Sequence, residues 1–369
     1  MTKAGPARDL AREVLIHGPI SRGELGRRLG LSPASLTRLS KPFVDRGLFV
    51  DGPENAERSL GRPAKPLDVQ VDSQRFIGIK LTSDEVFGVL ADLRANPLSE
   101  RTLRLESREP GAIMAAIQRI VEELGGIDGV TAVGVTVGGQ VSSQRLVERA
   151  PFLGWRDVDL GGMLQKALDV RVVVENDVVA LTAAEHWFGE ARGIENLAVI
   201  TVGAGVGYGL IINDRAVVTS DTGLGLGGHF PLDPTGPLCV EGHRGCSTAM
   251  LSIPSMCASA RTGLGRDVDF VELLELAAAG NPVCDQVVDA AARALGRLIA
   301  AAANLAMVQT VVLSGEGVSL VDARLDTVSA SVLGDRDPEA SKVQVLIDRS
   351  GFTAWARGAA AVAIQRSFV

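Results

Sequence analysis

The residues best suited to metal chemistry in this 369-residue chain lie together in a glycine- and proline-rich stretch, Gly225–Cys246. The candidate ligands are, in chain order, His229, Cys239, Glu241, His243 and Cys246. Zinc takes four nitrogen, sulfur or oxygen ligands in a tetrahedron, with bond lengths of about 2.0–2.3 Å. His229 and the two cysteines supply three ligands, and Glu241 or His243 could supply the fourth. The alternative is a surface loop with two reduced cysteines, because paired C-x-x-C spacing is absent.

A second group of polar residues, Glu175-Asn176-Asp177, follows a predicted strand and precedes a predicted helix. A carboxylate at the C-terminal edge of a parallel sheet points toward the crevice where ligands bind. In a kinase such a carboxylate can accept the proton of a sugar hydroxyl. The alternative is an ordinary helix N-cap, formed by Asn176 or Asp177.

A glycine-rich loop, Thr201–Gly207, lies between two further predicted strands. Exposed backbone N–H groups in such a loop can bind phosphate. A tight hairpin turn uses the same glycines, so their spacing leaves both interpretations open. The sequence carries no local Ser/His/Asp or Cys/His signature of nucleophilic catalysis.

The composition indicates a globular protein of two or three domains. Hydrophobic residues make up 46% of the chain, and four cysteines are too few for a disulfide scaffold. The sequence has no run of eighteen apolar residues, and its first residues lack the apolar core of a secretion signal. We therefore expect a reduced, cytoplasmic protein without a membrane span.

Charge is distributed unevenly along the chain. The net charge is −7, but residues 1–66 hold twelve Lys or Arg against seven Asp or Glu, which gives +5 there and −12 in the remainder. A basic module attached to an acidic body is the charge pattern that a DNA-binding regulator needs.

The basic module has the sequence pattern of a helix-turn-helix. Residues 7–17 have helical apolar spacing, Ser21 and Glu24 form a capping box, and Ser32-Pro33 starts a third helix. The polar face of this third helix, with the predicted wing and linker over residues 52–66, holds the candidate DNA contacts. They are Ser35, Thr37, Arg38, Lys41, Arg62 and Lys65. A small helical protein-interaction domain is the alternative.

The rest of the chain alternates between predicted strands and helices, which predicts an α/β body. Its two halves each open with a β-hairpin, a pattern typical of the bilobal, actin-like (ribonuclease H-like) fold of sugar kinases. We expect a winged helix-turn-helix domain over residues 1–66 and a two-lobed domain over 67–369. The first lobe takes 67–180 with the C-terminal helix, and the second takes 181–350.

The chain resembles the ROK family, which contains sugar kinases and sugar-responsive repressors. The family segment E-x-G-H, a linker and C-x-C-G-x-x-G-C-x-E is matched at Gly228-His229, Cys239, Gly242, Gly245 and Cys246. Glu241 replaces the middle cysteine of the family, while Leu226 and Thr248 replace its two glutamates. The stretch ENDVVALTAAEHWFGEARG follows the family's pattern of Asn-Asp and a helix ending in Phe-Gly. The first 66 residues have the layout of the winged helix in ROK repressors.

The resemblance implies which residues hold a metal and a ligand. It implies a structural zinc on His229, Cys239, Glu241 and Cys246, and a sugar-related ligand on Asn176, Asp177 and His229. In the family the Asp of the Asn-Asp pair is the catalytic base, and the loop corresponding to Thr201–Gly207 binds phosphate. Two of the hydroxyl-binding glutamates are lost here, so a simple hexose is expected to bind poorly.

The first phosphate loop of actin-like kinases, Asp-x-Gly-Gly-Thr, is replaced by Lys80-Leu81-Thr82-Ser83-Asp84. Lys80 removes a metal-facing carboxylate, and the Cβ atoms of Thr82 and Ser83 crowd the close approach that phosphates need. Asp84 adds negative charge where phosphates would lie. The sequence therefore predicts a kinase-derived body without kinase activity and without catalytic residues.

Together these patterns predict a transcriptional regulator, a repressor, that binds a pseudo-palindromic double-stranded operator as a homodimer or homotetramer. We expect its body to sense a sugar-related effector. An active ATP-dependent sugar kinase with a regulatory DNA-binding head is one alternative. A body that senses no ligand and serves only as a dimer scaffold is another.

Overall fold

The structure is a computed structural model that describes residues 5–52 and 65–368. Contacts within the chain divide it into two units, with boundaries after Gly193 and after Ala354. The first unit contains the N-terminal part of the chain and the last residues, and the second unit is Ile194–Ala354. Both units contain strands and helices, so the α/β class predicted from the sequence is confirmed.

The first unit begins with three helices and a two-stranded antiparallel hairpin. They are α1 (Pro6–His17), α2 (Arg22–Leu29), α3 (Pro33–Asp45), β1 (Phe49–Asp51) and β2 (Leu67–Val69). The predicted caps form: the hydroxyls of Ser21 and Ser32 accept hydrogen bonds from Glu24 N and Ser35 N, at 3.1 and 3.3 Å. Gly30 ends α2 in the left-handed conformation, which glycine adopts without strain. The order of elements is that of a winged helix.

A five-stranded sheet follows, in the order β10-β6-β3-β4-β5, together with a three-stranded antiparallel sheet β7-β8-β9. The elements are β3 (Arg75–Leu81), β4 (Glu85–Ala91), β5 (Pro97–Arg104), α4 (Pro110–Glu123), β6 (Val130–Val137), β7 (Gln140–Ser142), β8 (Leu146–Ala150), β9 (Trp155–Val158), α5 (Leu160–Leu168), β10 (Val172–Asn176) and α6 (Asp177–Phe188). Strands β10, β6 and β3 are parallel. Their apolar residues, mostly valine in β6 and β10 and isoleucine, phenylalanine and leucine in β3, are buried, as parallel strands covered on both faces require.

The second unit has its own five-stranded sheet, in the order β13-β12-β11-β14-β15. Its elements are β11 (Leu197–Val202), β12 (Val206–Ile212), β13 (Arg215–Ala216), α7 (Ser247–Leu251), α8 (Ile253–Leu264), α9 (Phe270–Ala278), α10 (Pro282–Ala306), β14 (Thr310–Ser314), α11 (Ser319–Ala323), α12 (Leu325–Gly334) and β15 (Gln344–Ile347). The C-terminal helix, α13 (Phe352–Phe368), belongs to the first unit from Trp355 onward. The alanine-rich α10 forms much of this unit's core with β11 and β14.

Helix α13 packs on the first unit's sheet at backbone distance. Gly78 and Gly134 are register partners in the parallel strands β3 and β6. A Cβ atom on Gly134 would lie 1.8 Å from the carbonyl oxygen of Ala359, and one on Gly78 would lie 2.0 Å from that of Ala356. Glycine at both positions is therefore what lets the helix backbone touch the sheet.

The N-terminal helices share a hydrophobic core with the rest of the first unit. Side chains of α1, α3 and the hairpin pack in one buried cluster with side chains of α6 and α13. The members include Leu10, Val14, Phe43, Phe49, Trp187, Ile364 and Phe368. Among the helices of the described residues, none is both long and apolar enough to cross a membrane.

Candidate functional site

The predicted DNA-contacting face of α3 is polar and mostly exposed. Thr37, Arg38 and Lys41 are exposed, and Ser35 is half-buried, because Leu36 and Phe43 occupy the opposite, buried face of the helix. Within the described ranges, Arg38 and Lys41 form no ion pair, so both cations face solvent. The Thr37 hydroxyl donates to the carbonyl oxygen of Pro33 at 3.0 Å. Arginine and lysine free of internal partners are the groups that contact phosphates and base edges.

Two of the predicted DNA contacts, Arg62 and Lys65, belong to the predicted wing and linker. Lys65 precedes β2 and is exposed, and its carbonyl oxygen accepts a hydrogen bond from Arg22 Nη1 at 2.9 Å. Arg62 lies outside the described residues. Arg22 also pairs with Asp51 of β1 at 3.1 Å, which ties α2 to the hairpin.

At the C-terminal edge of the first sheet, Lys80 and Asp177 form a buried ion pair. Lys80 is at the end of β3 and Asp177 directly follows β10, two strands away in the parallel sheet. The Lys80 ammonium donates to Asp177 Oδ2, and the two side chains are only 7% and 13% exposed. The ammonium also lies 5.0 Å from the ring centroid of Trp355. The carboxylate that the resemblance to the ROK family indicates as the catalytic base is thus paired with a lysine of the same chain.

Asn176 uses both ends of its side-chain amide within the fold. Its Oδ1 accepts from Val179 N at 3.1 Å as the N-cap of α6, and its Nδ2 donates to the carbonyl oxygen of Gly139 at 2.8 Å. The side chain is buried. The neighbouring Glu175 accepts a hydrogen bond from Gln144 Nε2 at 3.0 Å. Capping, the alternative considered from the sequence, is therefore present, and it positions Asp177 at the first turn of α6.

In the second unit, a carboxylate lies against the glycine loop between β11 and β12. A Cβ atom on Gly203 would lie 2.0 Å from Glu316 Oε2. The loop is closed by hydrogen bonds from Gly203 N to Gly205 O at 3.0 Å and from Gly207 N to the Thr201 hydroxyl at 3.1 Å. An ionised carboxylate beside backbone amides disfavours phosphate there. The sequence analysis did not connect Glu316, which follows β14, with this loop.

The candidate metal loop folds back on itself as a short, irregular hairpin. Bridges join Pro231 to Cys246 and Leu238 to Arg244. Gly242 adopts a left-handed turn with φ 84°, and Cys239 N donates to the carbonyl oxygen of His243 at 3.0 Å. The turn brings side chains four residues apart in sequence onto the same side of the loop.

Four side chains of this loop could hold a metal ion together. One ligand atom from each of His229, Cys239, Glu241 and His243 lies within 4.8 Å of the other three. Cys239 Sγ lies 3.9 Å from His229 Nδ1 and 3.7 Å from His243 Nδ1. These separations are close to the roughly 3.3–3.8 Å between ligands of a tetrahedral ion with bonds of about 2.0–2.3 Å. The donor set therefore fits a metal ion with nitrogen and sulfur ligands.

The remaining predicted ligand, Cys246, lies outside that group of four but next to it. Its Sγ is 3.8 Å from His229 Nδ1, and burial raises the pKa of its thiol. Glu241 instead accepts from the other nitrogen of the same ring, His229 Nε2, at 2.6 Å. Metal-bound histidines commonly donate their second ring nitrogen to a carboxylate, which fixes the ring. The geometry thus leaves two roles for Glu241, ligand or orienting partner of His229.

One known protein family matches most of this chain. The model of the ROK family matches residues 76–366, and the N-terminal helices and hairpin precede the matched region. The DNA-binding transcriptional repressor Mlc of Escherichia coli K12 is 24% identical over 331 residues, covering 85% of this chain and 82% of that protein.

Two solved structures confirm the fold predicted from the sequence. A ROK family transcriptional regulator, described as a homolog of the E. coli Mlc protein, superimposes with a TM-score of 0.81 at 23% identity, covering 98% of this chain and 96% of that one. A ROK family glucokinase of Streptomyces griseus, in complex with glucose and AMPPNP, gives a TM-score of 0.68 at 26% identity, covering 79% of this chain and 99% of that one. About a fifth of this chain therefore has a counterpart in the regulator but not in the glucokinase.

Proposed function

The chain belongs to the ROK family, and from that premise we propose that it is a DNA-binding transcriptional regulator, a repressor, with a sugar-kinase-like body. The observation that carries the proposal is the exposure of Arg38 and Lys41, without ion pairs among the described residues, on α3, the second helix of a helix-turn-helix. This helix enters the major groove, and the basic N-terminal part supplies the electrostatic attraction. The chain acts as a homodimer or homotetramer, because two-fold symmetry matches a pseudo-palindromic operator.

Selection of DNA by the full chain tests this function even though the operator sequence is not known. Random duplexes are incubated with the protein, bound fragments are recovered over several rounds, and the pool is sequenced. We expect enrichment of one consensus with two related half-sites about one helical turn apart. Protein carrying both Arg38→Ala and Lys41→Ala should enrich nothing. A wild-type pool that stays random would contradict the proposal.

The body is proposed to have lost phosphoryl transfer, which depends on positioning and on metal-assisted neutralisation of phosphate charge. Lys80 pairs with Asp177 and so occupies the carboxylate that would act as base. Glu316 lies against the glycine-rich loop Thr201–Gly207, and Lys80–Asp84 departs from the first phosphate loop of actin-like kinases. These three features favour the regulator over the alternative of an active sugar kinase with a DNA-binding head.

We predict that the protein releases no ADP in a sugar-dependent way. The assay incubates it with Mg-ATP and a panel of hexoses and N-acetylhexosamines, and follows ADP by a coupled reaction. Background ATP hydrolysis is measured without sugar. If sugar-dependent ADP release occurs and is lost in Asp177→Asn, the kinase alternative is correct.

The effector is proposed to be sugar-related, and the residues proposed to bind it are those that the sequence indicated: Asn176, Asp177 and His229. Leu226 and Thr248 take the places of two hydroxyl-binding glutamates, and a site that lacks hydrogen-bonding partners for hydroxyls binds them weakly. We expect titration calorimetry to show no micromolar binding of glucose. Micromolar glucose affinity that disappears in Asp177→Ala would contradict this.

We propose that the loop around His229 holds one structural zinc ion. His229, Cys239 and Cys246 are the shared ligands, and Glu241 or His243 is the fourth. Support comes from the 3.7–3.9 Å separations of thiol sulfur and imidazole nitrogen. Bound zinc would supply cross-linking of the loop, because a closed four-ligand site stabilises the fold around it.

Metal analysis tests the zinc site and identifies its fourth ligand. Protein purified without chelator should contain about one zinc per chain, and Cys239→Ala should lose it. Cys257→Ala is the matched control, because Cys257 is a free cysteine on α8 outside the loop, and it should keep its zinc. Of the variants His243→Ala and Glu241→Gln, the one that loses more zinc identifies the fourth ligand. Wild-type protein without zinc would rule out the site.

A further inference from the structure

The buried Lys80–Asp177 ion pair contacts the N-terminal turns of two helices. Asp177 is the first residue of α6, and Trp355, beneath the Lys80 ammonium, lies in the first turn of α13. An ammonium held over an indole ring is attracted to its π face. Lys80 and Trp355 are both buried, so movement of the lysine requires movement at the start of both helices.

The far end of α6 contacts the C-terminal end of α1. The segment after α6 folds back on the helix, with Gly193 N donating to the carbonyl oxygen of His186 at 3.2 Å. From this segment Arg192 donates through Nη2 to the carbonyl oxygen of Gly18 at 2.9 Å, and through Nε to that of Ile16. At 1.5 Å per residue, α6 carries this contact about 18 Å from the ion pair.

A second guanidinium, that of Arg94, holds the same end of α1. Its Nη2 donates to Gly18 O at 2.8 Å and to Asp68 Oδ1 at 2.5 Å, and its Nε donates to Leu15 O at 3.3 Å. The last carbonyls of a helix carry partial negative charge and need such partners. Burial and then the charge of Arg94 lower the pKa of Arg192. The two arginines are therefore crowded together around the end of α1, the helix that supports the helix-turn-helix.

The far end of α13 reaches the winged helix as well. The ring of Phe368 lies 6.3 Å from that of Phe43 in α3 and 6.5 Å from that of Phe49 in β1, between ring centroids. These three aromatic side chains share one buried cluster. Because Phe43 is on the buried face of α3, a shift of α13 along its axis would displace the DNA-contacting helix.

Helices α6 and α13 are also fixed to each other. A Cβ atom on Gly358 would lie 2.9 Å from Leu181 N, so the two backbones touch. Near the end of α6, Arg357 donates to Phe188 O at 3.3 Å. Closely packed helices move as rigid bodies, because packed cores change between discrete arrangements and do not deform continuously.

From these contacts we propose that α6 and α13 form one rigid pair that couples the Lys80–Asp177 ion pair to the position of the winged helix. The inference rests on the proposed DNA binding and names the part of the body that regulates it. A polar ligand that takes Asp177 as its hydrogen-bond partner leaves Lys80 buried without its carboxylate. Since an unpaired buried charge is strongly unfavourable, Lys80 then moves away from Trp355, and the helix pair shifts at the winged helix.

A double-mutant cycle on operator affinity tests the coupling. Lys80→Met and Arg192→Met alter the two ends of α6, about 18 Å apart, so uncoupled effects would multiply within about twofold. We expect each single variant to change the dissociation constant of the operator complex by at least about fivefold. The double variant should have a dissociation constant within about twofold of that of the single variant with the larger effect. Arg119→Met, in the exposed pair with Glu123 on α4, is the control, and its effect should multiply with that of Arg192→Met. Multiplication in both cycles would overturn the proposal.

Hydrogen exchange of the full chain without DNA gives a second, independent measurement. Lys80→Met should raise deuterium uptake in peptides that cover residues 14–20, at the end of α1, whereas Arg119→Met should not. If Lys80→Met fails to fold, Asp177→Asn removes the same ion pair and should give the same rise. Unchanged uptake in every folded variant of the pair would overturn the coupling. Protein that binds no operator but shows the increased deuterium uptake would contradict the proposed DNA binding and leave the coupling between the ion pair and α1 intact.

Discussion

Operator binding is expected to weaken about 5- to 150-fold when Arg38 is replaced by alanine, which corresponds to about 1–3 kcal/mol. Arg38 is exposed on α3 and forms no ion pair among the residues that the structure describes. An arginine there can make two hydrogen bonds to a guanine edge in the major groove, so its loss should also relax the base preference at that position. Lys41, farther along α3, contacts phosphate, and Lys41→Ala should weaken all sequences about equally.

The measurement is a fluorescence anisotropy titration of the selected operator and of single-base variants of it. Arg119→Ala is a suitable control, because it removes an exposed arginine from α4 without touching the N-terminal helices. Deleting residues 1–66 would be a less clear experiment, since α1, α3 and β1 share a core with α6 and α13. Wild-type affinity in folded Arg38→Ala protein would show that α3 does not contact the bases.

Of the substitutions proposed for this protein, Gly134→Ala should lower the free energy of unfolding most. The new Cβ atom would lie 1.8 Å from the carbonyl oxygen of Ala359, and backbone cannot move aside by changing rotamer. Overpacking costs about 1–3 kcal/mol and occasionally more. We expect a loss near 3 kcal/mol, or a fall in Tm of about 6–12 °C for a unit of this size. Because α13 must move, operator binding should also fall at temperatures where the variant is folded.

The matched control is Gly111→Ala on α4. A Cβ atom there meets nothing within 4 Å, and alanine is a better helix former than glycine by about 1 kcal/mol. Gly111→Ala should therefore keep or raise the Tm in a calorimetric scan. Equal Tm values for Gly134→Ala and wild-type protein would mean that α13 does not pack on the sheet at backbone distance.

Local pattern was sufficient to predict many elements of the fold. The β-hairpin predicted to open the first half of the body is formed by β3 and β4, and the valine-rich run Val130–Val137 forms β6. Ser21 and Ser32 cap their helices as predicted, because a cap depends only on residues within one turn. The predicted end of the first lobe at residue 180 falls inside α6, and the structure keeps this helix in the first unit. The domain boundaries themselves stay a prediction.

Contacts between distant parts of the chain were not predicted. Lys80 and Asp177 are 97 residues apart, and only the parallel register of β3, β6 and β10 brings them to the same edge of the sheet. The interpretation of Lys80 as the loss of a carboxylate was made from the sequence, but its pairing with Asp177 was not. The positions of Arg94 and Arg192 at the end of α1 likewise depend on packing across the unit.

The close packing of α13 on the sheet had a signal in the sequence that was not used. Gly78 and Gly134 lie inside valine- and isoleucine-rich strands, where glycine weakens a strand and often marks a close approach of another backbone. In the metal loop, spacing predicted the candidate ligands but could not decide between Glu241 and His243. That choice depends on side-chain direction, and the structure places both within reach of His229.

Sequence-specific DNA binding is tested most directly by the ratio of two dissociation constants for the full chain. One is measured for the selected operator and the other for a duplex of the same composition in shuffled order, at the same salt concentration. Specific binding typically exceeds non-specific binding by at least about 10³-fold. We predict a ratio of that size, which falls in Arg38→Ala. Equal affinities for the two duplexes would contradict the assignment of this ROK protein as a transcriptional regulator.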